Sequence, residues 1–322
     1  MALGGFRLVN VKYNKLYILQ RQKEFEEMNN KRYAYNFLQN VEIEISSLCN
    51  RHCSYCPQCK IDRKRELLPF DIFEKIMYEL KEINYSGGLA FHQYNEPLLE
   101  FEYLCKCISF SRKVNPNIRL ELYTNGDLLT KKKYRKLKKL GVNRLVVTCH
   151  LNSDEKWSKK LAYTKVKAML KKLNIHSNIE IKNSSVEKKE SNLLNFIFKL
   201  KEFGYDAIKK YPFKLQIRSS DYNNNGSTRI DILDSVKASH IEDNSRTYYC
   251  YSLLHGIHVS YKGNVFMCCD CCEDTEMAKK YVIGSVYNEK IYDLFARKSS
   301  LVQDYMDENE RLGICKNCYW NQ

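Results

Sequence analysis

The stretch Cys49-Asn-Arg-His-Cys53-Ser-Tyr-Cys56 follows the apolar alternation Val41-Glu-Ile-Glu-Ile45. The alternation predicts a half-buried β-strand, which places three cysteines, spaced C-x3-C-x2-C, on the loop after it. Thiolates are soft ligands that select zinc, copper(I) or iron–sulfur clusters. Three of them can hold three irons of a 4Fe–4S cluster and leave the fourth open, as catalytic metal sites do. Cys59 extends the row by C-x2-C, so a closed four-thiolate site and, less favoured, a disulfide are the alternatives.

This motif, with the aromatic Tyr55 before its last cysteine, resembles the signature of radical S-adenosylmethionine (SAM) enzymes. The resemblance implies that Cys49, Cys53 and Cys56 ligate a 4Fe–4S cluster whose open iron binds the amino and carboxylate groups of SAM. It also implies that Tyr55 lies near the adenine, and that a low-potential donor such as flavodoxin or ferredoxin reduces the cluster. In that family SAM is then split to methionine and a 5′-deoxyadenosyl radical. Cys59 is surplus in this interpretation.

Length and composition leave room for one large domain, or for one domain with a smaller module, in 322 residues. Hydrophobic residues make up 44% of the chain, which is enough for a packed core. The formal net charge of +15 is compatible with a nucleic acid or with an anionic small substrate. Many lysines, however, fall in amphipathic segments such as 131–139, which favours a solvated helix face. No nucleic-acid-binding motif is recognised, so we expect no nucleic-acid partner.

The cellular location is predicted from the N-terminus and the cysteines. The start of the chain lacks a basic-then-apolar signal pattern, and no apolar run approaches the length that spans a membrane. We therefore expect a cytoplasmic protein without a membrane partner. The fourteen cysteines then belong to a reducing compartment, where close cysteine pairs indicate metal sites rather than disulfides.

Short apolar runs alternate with amphipathic segments from residue 41 onward, which predicts repeated βα units around a parallel sheet. We predict strands at 41–46, 87–92, 118–124, 144–149, 178–183 and 212–218, and helices near 20–38, 70–84, 100–114, 130–140, 155–173 and 190–203. Six such units fit the partial (β/α)6 TIM-like barrel of radical SAM enzymes, although a doubly wound sheet has the same local pattern. In either fold the active site lies at the carboxyl ends of the strands.

The strand ends carry the candidate SAM-binding residues. After the second strand, Tyr94-Asn-Glu96-Pro97 resembles the Gly-Gly-Glu-Pro of radical SAM enzymes, which implies that Glu96 helps to hold the SAM amino group. The third strand ends in Asn125-Gly126, like the usual third strand of the family. On the fourth strand, Thr148 or His150 would contact SAM, and Cys149 would face the cavity. The structural alternatives are a common Glu-Pro pair, an Asn-Gly turn and a buried cysteine.

A second group of cysteines lies near the C-terminus. Cys250 is followed after twelve residues by Gly263 and after four more by Cys268, and the chain ends with the pair Cys315 and Cys318. The segment 256–267 predicts a hairpin that brings Cys250 and Cys268 together. The pattern is similar to the SPASM/twitch module, which implies an auxiliary 4Fe–4S cluster held by these four cysteines; a four-thiolate zinc site is the alternative. The roles of Cys269, Cys271 and Cys272 stay open.

These patterns divide the chain into an N-terminal helical extension (1–39), a partial barrel (40–218), a bridge (219–247) and a small α+β iron–sulfur module (248–322). The resemblance implies an enzyme that removes hydrogen from a substrate carbon. Oxidation of a polar small molecule such as an amino sugar, or of a peptide, is the first hypothesis. The second is epimerisation with Cys149 as the hydrogen donor. The third is a zinc-stabilised, basic RNA- or protein-binding factor.

Overall fold

The structure is a computed structural model, and it describes Lys23 and residues 34–53, 56–59, 61–150, 158–175, 193–198, 213–218 and 250–306. Its strands are β1 (Asn40–Ile43), β2 (Gly88–Ala90), β3 (Arg119–Thr124), β4 (Arg144–His150), β5 (Leu193–Phe198), β6 (Phe213–Arg218), β7 (Gly256–Val259), β8 (Asn264–Phe266) and β9 (Val282–Ser285). Its α-helices are α1 (Phe70–Glu82), α2 (Phe101–Val114), α3 (Lys131–Lys139), α4 (Lys159–Leu173), α5 (Tyr251–His255), α6 (Glu276–Lys279) and α7 (Ile291–Met306). Two 3-10 turns span Ala34–Phe37 and Pro57–Cys59. None of the described helices is long and apolar enough to cross a membrane.

The nine strands form one sheet in the order β5-β6-β4-β3-β2-β1-β7-β8-β9. Strands β1 to β4 lie in sequence order and are parallel, and β6 is parallel to β4. This progression in one direction is typical of a barrel, whereas a doubly wound sheet reverses direction at its switch point. The predicted partial barrel is therefore confirmed, and the doubly wound alternative is wrong.

The C-terminal module continues this sheet. Strand β7 pairs in parallel with β1 on the side opposite β2, and β8 and β9 follow antiparallel. The predicted hairpin is present, with Gly263 at φ +75° in its turn. A β-carbon at Gly263 would come within 2.6 Å of the Tyr287 ring, so the turn needs glycine for both its conformation and its space.

The helix predicted at 190–203 is wrong where the structure describes it. Residues 193–198 form β5, which pairs antiparallel with β6. Its sequence, Leu-Leu-Asn-Phe-Ile-Phe, places apolar residues at both helical and strand spacings, and a short apolar run of this kind does not separate the two. The predicted strand 178–183 and the bridge 219–247 lie outside the described residues, as does most of the predicted helix 20–38.

The apolar core lies between the sheet and its helices. Val41, Ile43 and Ile45 belong to one buried cluster with residues of α1. The rings of Phe91, just after β2, and Phe73 of α1 have centroids 6.2 Å apart. Because side chains alternate along a strand, Glu42 and Glu44 are left on the opposite face of β1. The helix-facing side of the sheet is thus apolar, and its other side carries the polar residues.

Candidate active site

A row of residues that are polar on every strand but β2 crosses the face of the sheet that points away from the helices. The register places His258 beside Glu42, Glu42 beside Ala90, Ala90 beside Glu121, and Glu121 beside Arg144. Nδ1 of His258 lies 3.0 Å from Oε2 of Glu42. A guanidinium nitrogen of Arg144 donates to Oε2 of Glu121 over 3.1 Å. A barrel interior filled only for stability is dominated by branched apolar side chains, so these charges indicate a polar interior.

The predicted cluster-binding loop follows this row at the carboxyl end of β1. The backbone N–H of Cys56 donates to the carbonyl of Cys53 over 2.9 Å, which closes a turn between two of the three cysteines. Burial, the nearby carboxylate of Glu96 and the neighbouring thiols of Cys56 and Cys53 raise the pKa of Cys49 to about 12. Tyr55 and the side chain of Cys59 lie outside the described residues.

Two residues between the first cysteines fasten this loop to the end of β3. Arg51 makes two hydrogen bonds, of 2.5 and 2.8 Å, to the carboxylate of Asp127. Asn50 exchanges further bonds with Asn125 and Asp127. The amide of Asn125 also lies 3.8 Å from the sulfur of Cys49. The structure thus brings Asn125, the predicted third-strand residue, to the cysteine loop.

Glu96 joins the carboxyl ends of three strands. Its carboxylate accepts from the hydroxyl of Thr124 (2.6 Å), the backbone N–H of Asn125 (2.7 Å) and the backbone N–H of Leu98 (3.0 Å). Its own N–H donates to the carbonyl of Leu48, just before the first cysteine. Burial raises the pKa of Glu96 above the ordinary value. The contact of Glu96 with SAM stays a prediction. In the structure this carboxylate holds the surrounding strand ends together through its hydrogen bonds.

The two residues that stand where the family usually has glycines both use their side chains. Asn95 bonds to the hydroxyl of Ser46 and to the backbone N–H of Gln93. The phenol of Tyr94 donates to the backbone carbonyl of Asp270 over 2.8 Å. Neither residue has a positive φ. The replacement therefore adds contacts without requiring a left-handed backbone.

The predicted orientation of Cys149 is wrong. Cys149 belongs to the apolar core cluster together with Leu145 and Val147, on the helix-facing side of β4. A β-carbon at Gly126 would meet both Val147 and Met169 of α4, which shows that this side of the strand faces the helix. Burial raises the pKa of Cys149 to about 11. Thr148 and His150 occupy the opposite face of the strand, because side chains alternate along it.

The C-terminal cysteines gather around the β7–β8 hairpin. Cys250, Cys268 and Cys271 lie buried in one cluster with Leu253 and Phe266. The donor atoms of Cys268, Cys269 and Asp270 lie within 4.8 Å of one another. The hairpin therefore brings Cys250 and Cys268 into one region, as predicted, while Cys315 and Cys318 lie outside the described residues. Asp270 was missed because an isolated aspartate between cysteines has no diagnostic spacing.

Lys298 of α7 is a buried cation beside these cysteines. Its side chain is fully buried, and its ammonium donates to the carbonyls of Ser252 (2.8 Å) and Gly256 (2.6 Å). Burial lowers the pKa of Lys298 to about 8, and the neighbouring thiols, first Cys268 and then Cys250, act in the opposite direction. A buried ammonium next to thiols suits a site whose ligands are thiolates.

A buried ion network joins the barrel to the C-terminal module. Arg63 donates to both carboxylate oxygens of Glu44, at 2.9 and 3.0 Å, and to Asp274 at 2.9 Å. Its guanidinium carbon also lies 4.7 Å from the centroid of the Tyr261 ring. Burial alone would lower the pKa of Arg63, but the carboxylate of Glu44 raises it. No local sequence signal marks these partners, since they are brought together only by the tertiary fold.

Two hydrogen bonds connect the cysteine groups through Tyr94. The side-chain amide of Gln58, two residues after Cys56, donates to the carbonyl of Tyr94 over 2.6 Å. The phenol of Tyr94 then bonds to the carbonyl of Asp270, which stands between Cys269 and Cys271. The two groups of cysteines are thus docked against each other across a buried contact.

The donor chemistry of both regions fits iron–sulfur clusters. The first loop offers three closely spaced thiols, which can hold three irons of a cluster and leave the fourth open. The second region offers several buried thiols with a buried cation. Cys49, Cys53 and Cys56 would hold the first cluster, and Cys250 and Cys268 would supply part of the second.

Comparison with known families matches two regions of the chain. The model of the radical SAM superfamily matches residues 43–186, and the model of an iron–sulfur cluster-binding domain, SPASM, matches residues 250–319. The two matches occur in the order that the cysteine patterns predicted. The second one favours iron–sulfur over zinc at the C-terminal cysteines.

Two relatives match part of the chain. The S-adenosyl-L-methionine-dependent 2-deoxy-scyllo-inosamine dehydrogenase of Niallia circulans is 34% identical over 123 residues, which is 36% of this chain and 47% of that protein. An uncharacterized protein of Methanocaldococcus jannaschii is 31% identical over 115 residues, which is 36% of this chain and 35% of that protein. The matched segments thus span less than half the length of either relative.

Solved structures share the fold over most of the chain. The crystal structure of BtrN in complex with AdoMet and 2-DOIA has a TM-score of 0.60 at 22% identity and covers 88% of this chain and 93% of that one. A structure of BtrN in an open conformation has a TM-score of 0.53 at 21% identity, with 88% and 92% covered. At these identities the likeness shows the fold.

Proposed function

This chain belongs to the radical SAM superfamily and carries a C-terminal iron–sulfur cluster-binding domain, and from this premise we propose that it dehydrogenates a polar small molecule. The proposed reaction converts a secondary alcohol to a ketone. The substrate loses one hydrogen atom to the 5′-deoxyadenosyl group and then a proton and an electron. Because one SAM is cleaved for each hydrogen atom removed, each ketone accounts for one SAM, one methionine and one 5′-deoxyadenosine. The released electron would pass to the auxiliary cluster and balance the one used to cleave SAM, and the proton would leave to solvent.

The docking of the two cysteine groups is the observation that carries this proposal. A substrate radical can end as a ketone only if an acceptor for its second electron lies nearby. The contacts Gln58–Tyr94 and Tyr94–Asp270 hold the second group of cysteines against the first. This arrangement favours oxidation, in which the auxiliary cluster has a task, over a reaction without redox change.

The protein's own residues would bind, orient and enclose the reactants. When bound, the first cluster and SAM supply the radical that removes hydrogen from a substrate carbon. Arg51 and Asp127 would hold the cysteine loop on the end of β3, and Glu96 would fix the surrounding strand ends. The buried Arg63, which pairs with Glu44 in the barrel and with Asp274 in the C-terminal module, would keep that module closed over the same edge of the sheet and exclude water.

The polar interior row supports a small polar substrate. The carboxylate of Glu42 contacts the imidazole of His258, and that of Glu121 pairs with Arg119 and Arg144, so both carboxylates are already engaged and the interior offers hydrogen bonds. An aminocyclitol or amino sugar suits such a lining better than an anion does. The substrate named for the Niallia circulans relative, 2-deoxy-scyllo-inosamine, belongs to this class and is the first compound to test. A low-potential donor such as flavodoxin or ferredoxin would supply the initiating electron.

The other hypotheses have less support. The epimerase interpretation relied on Cys149 as a donor in the cavity, and this residue lies on the helix-facing side of β4. To test the proposal, anaerobically reconstituted protein would be reduced with dithionite in the presence of SAM and 2-deoxy-scyllo-inosamine. Ketone formed in step with 5′-deoxyadenosine supports it, and 5′-deoxyadenosine without any oxidised product would count against it.

A further inference from the structure

Two consecutive residues after β2 carry buried polar atoms that have no partner. Among the residues that the structure describes, Nδ1 of His92 and both polar side-chain atoms of Gln93 are inaccessible to water and make no hydrogen bond. Buried polar groups in native proteins are nearly always satisfied, and exceptions commonly mark a missing ligand or water. Three unsatisfied atoms on adjacent residues therefore indicate a place where something polar binds.

The ring of His92 belongs to the polar interior of the barrel. It stacks on the ring of Tyr123, with centroids 4.2 Å apart and planes 22° apart. Phe91 and Leu89, its neighbours on the other face of the strand, belong to the apolar core. His92 therefore lies on the same face as Glu42 and Tyr123, at the carboxyl end where the cysteine loop begins.

The surrounding charges limit what this place can accept. The groups that influence His92 are the carboxylates of Glu42 and Glu121 and the imidazole of His258. Glu42 already contacts the imidazole of His258, and Glu121 is paired with Arg144, while burial lowers the pKa of His92 and so favours its neutral ring. What remains available is a neutral ring nitrogen and one amide, which together offer both donors and acceptors. That combination matches hydroxyl and amino groups and does not match a carboxylate or a phosphate.

We propose that His92 and Gln93 form a substrate subsite that binds vicinal hydroxyl or amino groups of a polyol, amino sugar or aminocyclitol. This inference rests on the proposed function and specifies how the substrate is recognised. It assigns the substrate to the segment 92–96, which follows β2 and also bears Glu96, so that the hydroxylated ring and SAM would be held by one connected segment. Both residues are binding residues and take no part in proton transfer.

The first test is thermal unfolding of the reconstituted protein without substrate. An unpartnered buried amide destabilises the free protein, so Gln93→Leu should leave the midpoint unchanged or raise it. Asn115→Leu is the matched control, because Asn115 is buried and its amide donates to the carbonyl of Tyr85 over 2.5 Å. Asn115→Leu should lower the midpoint. A comparable fall for Gln93→Leu would show that Gln93 has a structural partner and would overturn the subsite.

The second test is calorimetric binding to the anaerobic, SAM-loaded protein. The probes are 2-deoxy-scyllo-inosamine, glucosamine and myo-inositol. At least one should bind, and Gln93→Leu and His92→Phe should weaken its binding about tenfold or more while leaving SAM binding unchanged. The His92→Phe variant retains a ring that stacks on Tyr123. Binding equal to that of the wild type, or no binding of any probe, overturns the subsite.

Binding is measured here without turnover, so the two proposals fail separately. A probe that binds through these residues but is never oxidised would retain the subsite and contradict the dehydrogenase. Oxidation that is unaffected by both substitutions would retain the dehydrogenase and contradict the subsite.

Discussion

The phenol of Tyr94 donates a hydrogen bond of 2.8 Å to the backbone carbonyl of Asp270, across 176 residues of sequence. This bond links the strand end that carries Glu96 to the loop that carries the C-terminal cysteines. Tyr94 stands where radical SAM enzymes usually have glycine. The substitution thus creates a contact between the two modules that a glycine could not make.

Tyr94→Phe tests this contact. The variant should still bind both clusters and cleave SAM, since neither depends on the phenol. It should lose about 1 kcal/mol of unfolding free energy, and the ratio of ketone to 5′-deoxyadenosine should fall as the modules separate. Chemical denaturation and product analysis measure the two effects. Tyr103→Phe, which also removes a phenol bonded to a backbone carbonyl, that of Leu68, should reduce stability without changing the ratio.

The pair Glu44–Arg63 should be strongly coupled. Both side chains are almost completely buried, at 0% and 1% exposure. Arg63→Met leaves a buried carboxylate without its partner and should cost about 3–5 kcal/mol. The double variant Glu44→Gln/Arg63→Met should be less destabilised than the sum of the single variants, as urea unfolding in a double-mutant cycle would show. Additive losses would mean that Glu44 and Arg63 do not stabilise each other.

Cys149→Ala should have little effect on chemistry. The side chain packs in the core, so its removal should cost about 1 kcal/mol of stability and leave iron content, SAM cleavage and product unchanged. Cys53→Ala, in the predicted cluster loop, should remove the iron of the first cluster and SAM cleavage together. Loss of product from Cys149→Ala with SAM cleavage intact would restore the epimerase interpretation.

Lys298→Met should change the auxiliary cluster's reduction potential. Reduction adds a negative charge to a cluster, and a buried cation nearby favours the reduced form. The substitution should therefore lower that cluster's midpoint by on the order of tens of millivolts, with the first cluster unchanged. Redox titration followed by electron paramagnetic resonance measures both. Lys279→Met, at an exposed lysine of the same module, should shift neither midpoint.

Much of the fold was predictable because its signals are local. The strands predicted at 118–124 and 144–149 are found at 119–124 and 144–150, since each is a short, largely apolar run between charged helical segments. The turn at Gly263 was predicted from a glycine between two apolar runs, and the loop at Cys49 from the alternating residues 41–45 that precede it. The segment 193–198 was assigned incorrectly because its apolar residues satisfy both a helix and a strand, and pairing with β6 decided between them.

The candidate site was predictable only in part. Cysteine spacing identifies the ligand loops. It does not show which face of β4 carries Cys149, because neighbouring residues of a strand point to opposite faces and an error of one residue reverses the assignment. The partners of Tyr94, Arg63 and Lys298 lie far away in the sequence, so no window of residues contains the signal. One clue was available: a tyrosine at a position where the family has glycine suggests a new contact.

Product analysis of the anaerobic enzyme with SAM, dithionite and 2-deoxy-scyllo-inosamine tests the central claim most directly. Mass spectrometry would compare the amounts of 5′-deoxyadenosine and of the cyclitol product. The account predicts one ketone, lighter than the substrate by two hydrogen atoms, for each 5′-deoxyadenosine. Steady 5′-deoxyadenosine formation with a cyclitol of unchanged mass would contradict it.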